Sequence, residues 1–208
     1  AEMSCKVVRK LDPMEKVGVL ARANAETLVI EYTELTDEHR HARDANGELR
    51  YWAGNMALHV FSLPFLRRVS SDADRWLRFH ASEKQIPMID AEGRRITPQL
   101  PNGRKLERFV FDALPAARTV CIVETSRERE YAPVKNADGP DSPATARQAL
   151  MARYRSWLAA AGIELPAPQT RIEVDHSRLD GEEDARALGI RTLAQASEFV
   201  RTATGAEA

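Results

Sequence analysis

Short apolar runs rich in β-branched residues recur along the chain and alternate with stretches that carry apolar residues at helical spacing. The runs at 17–20, 27–32 and 52–61 predict strands, the first two of them paired, and a hairpin is predicted at 86–97. The continuous apolar run at 119–124 predicts a buried strand. Strands that alternate with helices along a chain predict an α/β fold class.

The helix with the clearest predicted limits begins after Ser142 and ends at Gly162. Ser142 is a favourable N-cap, Pro143 suits the first helical position, and Gly162 suits the C-terminal stop. Three further helices are predicted from a proline start or from apolar spacing, at 64–69, 105–114 and 193–200.

The composition of the 208-residue chain, with 43% hydrophobic and 29% charged residues, is typical of a folded globular protein. This length fits one domain with a small appendage. The segment at 165–168 contains two prolines and predicts a linker. We therefore divide the chain into a domain at 1–162 and a short C-terminal appendage at 163–208.

Net charge, hydropathy and cysteine content narrow the possible partners and locations. The formal net charge of −1 gives no reason to expect nucleic acid or an anionic membrane surface as a partner. No apolar run approaches the roughly 18 residues of a membrane span, and no signal peptide is visible, so we expect a cytoplasmic protein. The two cysteines lack the spacing of a disulfide framework or a zinc site. Cys121 lies in an apolar run and is expected to be a reduced thiol in the core.

A single lysine, Lys135, lies on a loop stiffened by Pro133, between a predicted strand and the start of a predicted helix. Open α/β folds place phosphate-contacting residues at such loops, and a lysine brings a point charge on a flexible stem. The alternative is an exposed loop lysine, which is the usual environment of this residue type.

Five segments carry an ordered set of motifs. They are MEKVGV at 14–19, VIEYTE at 29–34, GNMALH at 54–59, PNGRKLERFVFD at 101–112, and REYAPVKNAD with DSPATAR between 129 and 147. In this order and at about this spacing, the segments resemble motifs of the eukaryotic-type UDP-N-acetylhexosamine pyrophosphorylases. The resemblance extends from about Lys6 to about Gly162.

The resemblance implies both a fold and an activity. The fold would be part of a Rossmann-like, GT-A-like nucleotide-diphospho-sugar transferase, with a mixed sheet and a small C-terminal appendage. The activity would be the reaction of UTP with N-acetylglucosamine 1-phosphate, giving UDP-N-acetylglucosamine and pyrophosphate with Mg²⁺ as cofactor. The expected ligands are UTP, an N-acetylhexosamine 1-phosphate and the UDP-sugar. A related enzyme for another sugar 1-phosphate and a non-catalytic UDP-sugar-binding module remain alternatives.

The resemblance also assigns five residues to the ligand site. Glu31, at a strand end, is expected to accept hydrogen bonds from two sugar hydroxyls, and Asn55 offers both a donor and an acceptor. Gly18 lets a backbone amide approach the ligand. Phe111 is expected to wall the N-acetyl pocket, and Lys135 is the expected catalytic residue that faces phosphate. Without the resemblance, Glu31 fits a solvated strand residue, Asn55 fits a turn residue, and Gly18 fits a packing contact.

Three other residues are expected to be structural. Phe109 is expected to lie in the core, and His59 and His80 are expected to be satisfied core or hinge groups. The five histidines give no credible metal or catalytic site by their spacing.

The family carries further motifs in an N-terminal half that this chain lacks. They include a glycine-rich loop, L-x-G-G-x-G-T-R-L-G, which holds the triphosphate, and an aspartate that holds Mg²⁺. We therefore expect a piece of a longer protein, with the metal ligands elsewhere and no turnover by these 208 residues alone. An unpaired sheet edge would then favour self-association or pairing with the missing half.

Overall fold

The computed structural model describes residues 1–168, 170–189, 191–197 and 200–203. By its packing the chain divides into two compact units, Ala1–Thr125 and Ser126–Ala208, which we call unit 1 and unit 2. This division lies before the boundary predicted at 162, because the long helix Pro143–Ala160 packs against the elements that follow it. The assignment of 1–162 to one catalytic domain stays a prediction.

Unit 1 contains nine strands, three short α-helices and one 3₁₀-helix. In chain order these are β1 (Met3–Arg9), β2 (Val19–Ala23), β3 (Glu26–Ile30), α1 (Asp37–His41), β4 (Ala53–Phe61), α2 (Leu63–Ser70), α3 (Ala73–Trp76), β5 (His80–Lys84), β6 (Met88–Ile89), β7 (Arg95–Ile96), β8 (Gly103–Glu107), the 3₁₀-helix (Val110–Ala116) and β9 (Val120–Thr125).

Five of these strands form a mixed sheet in the spatial order β3-β2-β4-β1-β9. β1 is antiparallel to β4 and parallel to β9, and β2 is antiparallel to both β3 and β4. Two further pairs, β5 with β8 and β6 with β7, lie outside this sheet. The elements predicted at 17–20, 27–32, 52–61, 64–69 and 86–97 are confirmed as β2, β3, β4, α2 and the β6–β7 hairpin.

The core of unit 1 packs on alternate residues of β1. Met3, Cys5 and Val7 are at most 1% exposed. They belong to one cluster with Phe65 of α2 and Leu114 of the 3₁₀-helix, both fully buried. Alternate residues of a strand point to the same face of the sheet, so this face is the one that α2 and the 3₁₀-helix cover.

The prediction that 119–124 is a buried strand is wrong in its burial. The strand β9 exists, but Ile122 and Val123 are 48% and 44% exposed, and Cys121 is exposed rather than a core thiol. In the part of the chain that the structure describes, β9 pairs only with β1 and so forms an edge of the sheet. Apolar composition predicted the strand, but it could not predict that a second neighbouring strand is lacking on this side.

The helix predicted at 105–114 is also wrong. Residues 103–107 form β8 instead, and Leu106, which the helical spacing placed inside, is 59% exposed. A 3₁₀-helix follows and ends at Ala116, with Pro115 inside it. Over so short a segment, the apolar spacing fits a strand followed by a tight turn as well as it fits a helix.

Unit 2 is built around one long helix. Its elements are α4 (Arg127–Glu130), α5 (Pro143–Ala160), β10 (Arg171–Val174), α6 (Glu182–Ala187) and β11 (Val200–Ala203). The predicted limits of α5 are confirmed. Ser142 and Thr145 form a reciprocal capping box, Ser142 is fully buried, and Gly162 follows the helix end in the left-handed region with φ +74°.

The helix predicted at 193–200 is wrong, because residues 193–197 form turns rather than a helix. Val200 begins β11, lies opposite Val174 of β10, and is buried in the unit 2 core. Phe199, which was part of the predicted apolar stripe, lies outside the described residues. Within the described ranges, no helix combines the length and the apolar character needed to cross a bilayer.

Candidate functional site

Three of the predicted ligand residues meet in unit 1, where neighbouring strands begin and end. Gly18 directly precedes β2 and Glu31 directly follows β3, and the two strands pair with Val19 opposite Ile30. The carbonyl oxygen of Gly18 accepts the backbone N–H of Asn55 in β4 at 2.7 Å. The sheet thus brings Gly18, Glu31 and Asn55 to one place, although they are far apart in sequence.

The Glu31 carboxylate lies directly against the backbone of Gly18. A Cβ atom built on Gly18 would be 2.7 Å from Glu31 Oε1 and 3.2 Å from Val29 Cγ1. Real Cβ atoms do not approach an oxygen this closely, so any side chain at this position would displace the carboxylate. The glycine therefore serves a close approach, as expected from its place in the matched motif.

A tight turn fixes the backbone of Glu31 at the end of β3. The Glu31 carbonyl accepts the N–H groups of Glu34 and Leu35 at 2.9 and 3.2 Å. In return, the Glu31 N–H donates to Glu34 Oε2 at 3.4 Å. Glu34 is therefore the residue whose side chain and backbone both hold Glu31 in position.

Asn55 lies beside an irregularity in the sheet. Val7 of β1 pairs with Asn55, whereas Cys5 pairs with His59, so β4 carries extra residues between the two pairs. Ala57, inside this bulge, has a left-handed backbone with φ +58°, and its N–H donates to Asn55 Oδ1 at 3.1 Å. Bulges of this kind re-aim side chains and are common beside functional sites.

The two aromatic residues of the FVFD motif differ from their predicted exposure. Phe111 is 6% exposed and its ring stacks on Phe109, with 4.8 Å between ring centroids. Phe109, expected to be the core member, is only partly buried. The more accessible ring of this stack therefore belongs to Phe109, and the role of Phe111 as the wall of an N-acetyl pocket stays a prediction.

His59 is only partly a satisfied core group. Its Nδ1 lies 3.3 Å from the Sγ of Cys5, and its ring contacts that of Phe111 edge to face at 6.4 Å. Its Nε2 is buried and has no hydrogen-bond partner among the described residues. Burial lowers the pKa of His59, because the charged ring would be poorly solvated here.

His80 is held by two carboxylates, a feature that the sequence did not predict. Its Nδ1 lies 3.0 Å from Glu34 Oε1 and its Nε2 lies 2.8 Å from Asp112 Oδ2. The three residues come from the turn after β3, the start of β5 and the 3₁₀-helix. The signal available in the sequence was that Glu34 and Asp112 each end a matched motif that also contains a predicted ligand residue.

The environment of His80 favours its protonated form. Burial alone would lower the pKa of the ring, but the hydrogen bonds that the ring donates to Asp112 and Glu34 more than offset this effect and raise the pKa above its usual 6.5. The His80 side chain is 12% exposed and that of Asp112 is 7% exposed. The pair is therefore well shielded from solvent.

Lys135 belongs to unit 2, where it is exposed on the loop before α5. The N–H groups of Lys135 and Asn136 both donate to the carbonyl of Asp141, at 2.7 and 3.0 Å, and the Asn136 side chain donates to the carbonyl of Pro140. Asp141 has φ +52° and directly precedes the N-cap Ser142. The loop is thus closed on itself and joined to the first turn of the helix.

The described residues contain no group of three or more histidine, cysteine, aspartate or glutamate side chains placed to hold a metal ion. The Mg²⁺ cofactor that the resemblance implies stays a prediction.

Comparison with known proteins gives consistent similarities, although no family model matches the chain. It is 39% identical over 191 residues to UDP-N-acetylhexosamine pyrophosphorylase-like protein 1 of Xenopus tropicalis, covering 90% of this chain and 37% of that protein. It is 39% identical over 170 residues to UDP-N-acetylglucosamine pyrophosphorylase of Saccharomyces cerevisiae, covering 77% and 35%. The chain thus spans less than two fifths of the length of these curated relatives.

Two solved structures resemble the chain. A putative UDP-N-acetylglucosamine pyrophosphorylase from Entamoeba histolytica superposes with a TM-score of 0.77 at 30% identity, covering 92% of this chain and 48% of that one. The uridine diphosphate N-acetylglucosamine pyrophosphorylase from Trypanosoma brucei, solved with an inhibitor, gives 0.63 at 31% identity, covering 77% and 32%. The predicted α/β fold class with a mixed sheet is confirmed by these neighbours.

Proposed function

We propose that this chain, which is similar over most of its length to the UDP-N-acetylhexosamine pyrophosphorylases as its motifs predicted, supplies the sugar-phosphate side of a uridylyltransferase site. The reaction joins UTP and N-acetylglucosamine 1-phosphate into UDP-N-acetylglucosamine and releases pyrophosphate. The observation that carries this proposal is the meeting of Gly18, Glu31 and Asn55 at one place on the sheet.

The residues of unit 1 suit a sugar. The Glu31 carboxylate has two acceptor oxygens, which match two neighbouring hydroxyl groups. Asn55 can donate to one hydroxyl and accept from another, and Gly18 leaves the space beside its backbone that the Glu31 carboxylate occupies. Hydrogen bonds to a charged acceptor contribute about 1.5–3 kcal/mol each when they are desolvated.

Lys135 suits the phosphate. In the transfer, an oxygen of the sugar 1-phosphate forms a bond to the α-phosphorus of UTP, while the bond from that phosphorus to the bridging oxygen breaks and pyrophosphate leaves. Negative charge shifts among the phosphate oxygens during this step, and a lysine ammonium beside them lowers its energy. No residue of the chain needs to form a covalent intermediate.

Binding of the UTP triphosphate needs a segment that is not among the residues described so far. The glycine-rich sequence that the family uses for it is not among these 208 residues. We therefore expect the chain to bind the sugar phosphate or UDP-sugar by itself, but to turn over only together with a UTP-binding segment. Addition of UTP, Mg²⁺ and N-acetylglucosamine 1-phosphate to the chain alone should give no pyrophosphate.

Ligand binding to the chain tests the proposal directly. The affinity for N-acetylglucosamine 1-phosphate, measured by calorimetry or ligand-observed NMR, should fall about tenfold or more in Glu31→Gln, because one charged acceptor is lost. The exposed Glu38 on α1 gives the matched control Glu38→Gln, which should bind normally. Equal affinity of Glu31→Gln and the unaltered chain would overturn the site assignment.

Ligands with and without the phosphate group separate the proposed roles of Glu31 and Lys135. Lys135→Ala should weaken binding of N-acetylglucosamine 1-phosphate but not that of unphosphorylated N-acetylglucosamine, since the lysine contacts only phosphate. Lys84→Ala, at an exposed position of β5, is the control. A parallel titration with glucose 1-phosphate distinguishes an N-acetylhexosamine site from a site for another sugar 1-phosphate.

A further inference from the structure

Glu34, His80 and Asp112 form a chain of two hydrogen bonds that we call the carboxylate clasp. It joins the turn after β3, the first residue of β5 and the 3₁₀-helix, through contacts of 3.0 and 2.8 Å. No backbone hydrogen bond links β3 or its turn to β5 in the described part of unit 1. The clasp is therefore a side-chain connection between segments that the sheet itself does not connect.

The geometry of the clasp demands a proton on each ring nitrogen. Ionised carboxylates can only accept hydrogen bonds, whereas a neutral histidine donates from one nitrogen and accepts at the other. Both contacts are satisfied together only if the ring is an imidazolium. His80 thus differs from His59, also partly buried, whose environment favours the neutral ring.

One end of the clasp holds Glu31, the carboxylate proposed to bind the sugar hydroxyl groups, which we call the sugar clamp. Glu34 uses Oε1 for His80 and Oε2 for the N–H of Glu31. Rotation of the Glu34 side chain away from His80 would therefore also remove its bond to Glu31. The Glu31 carboxylate itself lies against the backbone of Gly18.

The other end holds the aromatic stack. Asp112 follows Phe111 directly, and the His80 ring lies 4.9 Å from that of Phe109. Phe109 in turn stacks on Phe111. The clasp thus connects Glu31, proposed to hold the hydroxyl groups, with Phe111, which is expected to wall the N-acetyl pocket and stacks on Phe109.

We propose that His80, as an imidazolium bonded to Glu34 and Asp112, is a positioning residue that sets the distance between the sugar clamp and the aromatic stack of the ligand site. The proposal rests on the proposed function, because it assumes that Glu31 holds the sugar. His80 itself does not touch the ligand.

The charges around His80 make this positioning depend on pH. Glu34 faces it from the turn after β3 and Asp112 from the 3₁₀-helix. On the neighbouring strand β8, the residue opposite His80 is Glu107, whose carboxylate pairs with Lys105 at 2.7 Å. Since the pKa of His80 is raised in the folded protein, the clasp is complete below its usual value of 6.5 and is lost as the pH rises through the raised value.

The test follows binding of UDP-N-acetylglucosamine by the 208-residue chain across the pH range from 6 to 9. We chose this probe because its diphosphate does not titrate in this range, unlike a sugar 1-phosphate with a second pKa of about 6. The affinity should fall about tenfold as His80 loses its proton. In His80→Gln the affinity should be low at every pH, because an amide can keep only one of the two bonds. His41→Gln, an exposed substitution at the end of α1, should behave as the unaltered chain does.

Ring ¹⁵N NMR supplies a readout that does not depend on the ligand. Most of the His80 rings should be doubly protonated at pH 6.5, and the pKa of His80 should fall in Glu34→Gln and in Asp112→Asn. A singly protonated ring at pH 6.5 would overturn the clasp. A doubly protonated ring, with His80→Gln binding the probe normally while Glu31→Gln does not, would overturn the positioning role and leave the proposed function intact. Normal binding by Glu31→Gln would instead contradict the proposed function.

Discussion

Gly18 shows how one residue without a side chain can determine the position of another residue's carboxylate. Its backbone conformation is open to any residue type, since its φ is not in the left-handed region. A side chain here would first meet Glu31 Oε1, the end of a flexible side chain, and the Cγ1 methyl of Val29 at 3.2 Å, rather than a backbone atom. The glycine is therefore needed for the placement of Glu31 more than for folding.

Gly18→Ala should thus separate ligand binding from stability. The added methyl group displaces the Glu31 carboxylate, so the affinity for N-acetylglucosamine 1-phosphate should fall about tenfold or more. The free energy of unfolding, measured with urea, should change by no more than about 1 kcal/mol. Gly181→Ala is the matched control, because a Cβ there meets nothing within 4 Å. Loss of stability without loss of affinity would show that Gly18 only serves packing.

At this scale the sequence predicted residues that carry their signal within one short motif, but not those whose role arises between motifs. Glu31 and Asn55 each lie in a matched segment, and the structure brings them together. The clasp was not predicted, because His80 gains its partners from positions 34 and 112, far away in the sequence. No local pattern distinguishes such a histidine from an ordinary buried one.

Among the elements, α5 connects the candidate phosphate residue to the core of unit 2. Its N-cap Ser142 is fully buried and directly follows Asp141, whose carbonyl holds the Lys135 loop closed. Near the C-terminal end of the helix, Trp157 and Leu158 pack in the unit 2 core. The position of the Lys135 loop therefore depends on a correctly formed first turn.

Ser142→Ala should destabilise α5 by about 1 kcal/mol, within the range of about 0.5–2 kcal/mol for loss of an N-cap. Amide hydrogen exchange should accelerate in the first turn of α5 and in the loop from Lys135 to Asp141, because both use the same turn. Ser156→Ala, at an exposed position of the same helix, should leave the exchange unchanged. Exchange that accelerates in the helix but not in the loop would disprove the coupling.

The sequence located elements well where capping residues mark their ends, and less well where only apolar spacing was available. The limits of α5 were predicted from Ser142, Pro143 and Gly162. The segment 105–114 has no such residues, and its apolar positions fitted a helix although they form a strand and a 3₁₀-helix. Burial also depends on which strands lie on either side, and the sequence does not show this. The apolar strand β9 was therefore predicted to be buried, although it lies at an edge of the sheet.

Over the whole molecule, the exposed side of β9 is the feature that most affects behaviour in solution. Ile122 and Val123 leave large apolar side chains in water, and among the described residues the strand has a partner on one side only. An apolar edge of this kind is a template for another strand.

The chain should therefore self-associate in a concentration-dependent way, and sedimentation velocity over a concentration series should detect it. The double variant Ile122→Lys, Val123→Lys should remain monomeric, because lysines on an edge oppose strand pairing. Ile89→Lys, which removes a similarly exposed apolar residue from the β6–β7 hairpin, should associate as before. A chain that is monomeric at all concentrations would contradict this expectation.

The two thiols offer a way to observe the same edge chemically. Cys5 and Cys121 lie on adjacent strands, but burial and the nearby Cys121 raise the pKa of the Cys5 thiol to about 11, so it carries almost no thiolate at neutral pH. A maleimide should thus alkylate Cys121 alone and place a single reporter near the start of β9. The rate of this labelling would then measure, in any mixture, what fraction of the molecules have their edge strand covered.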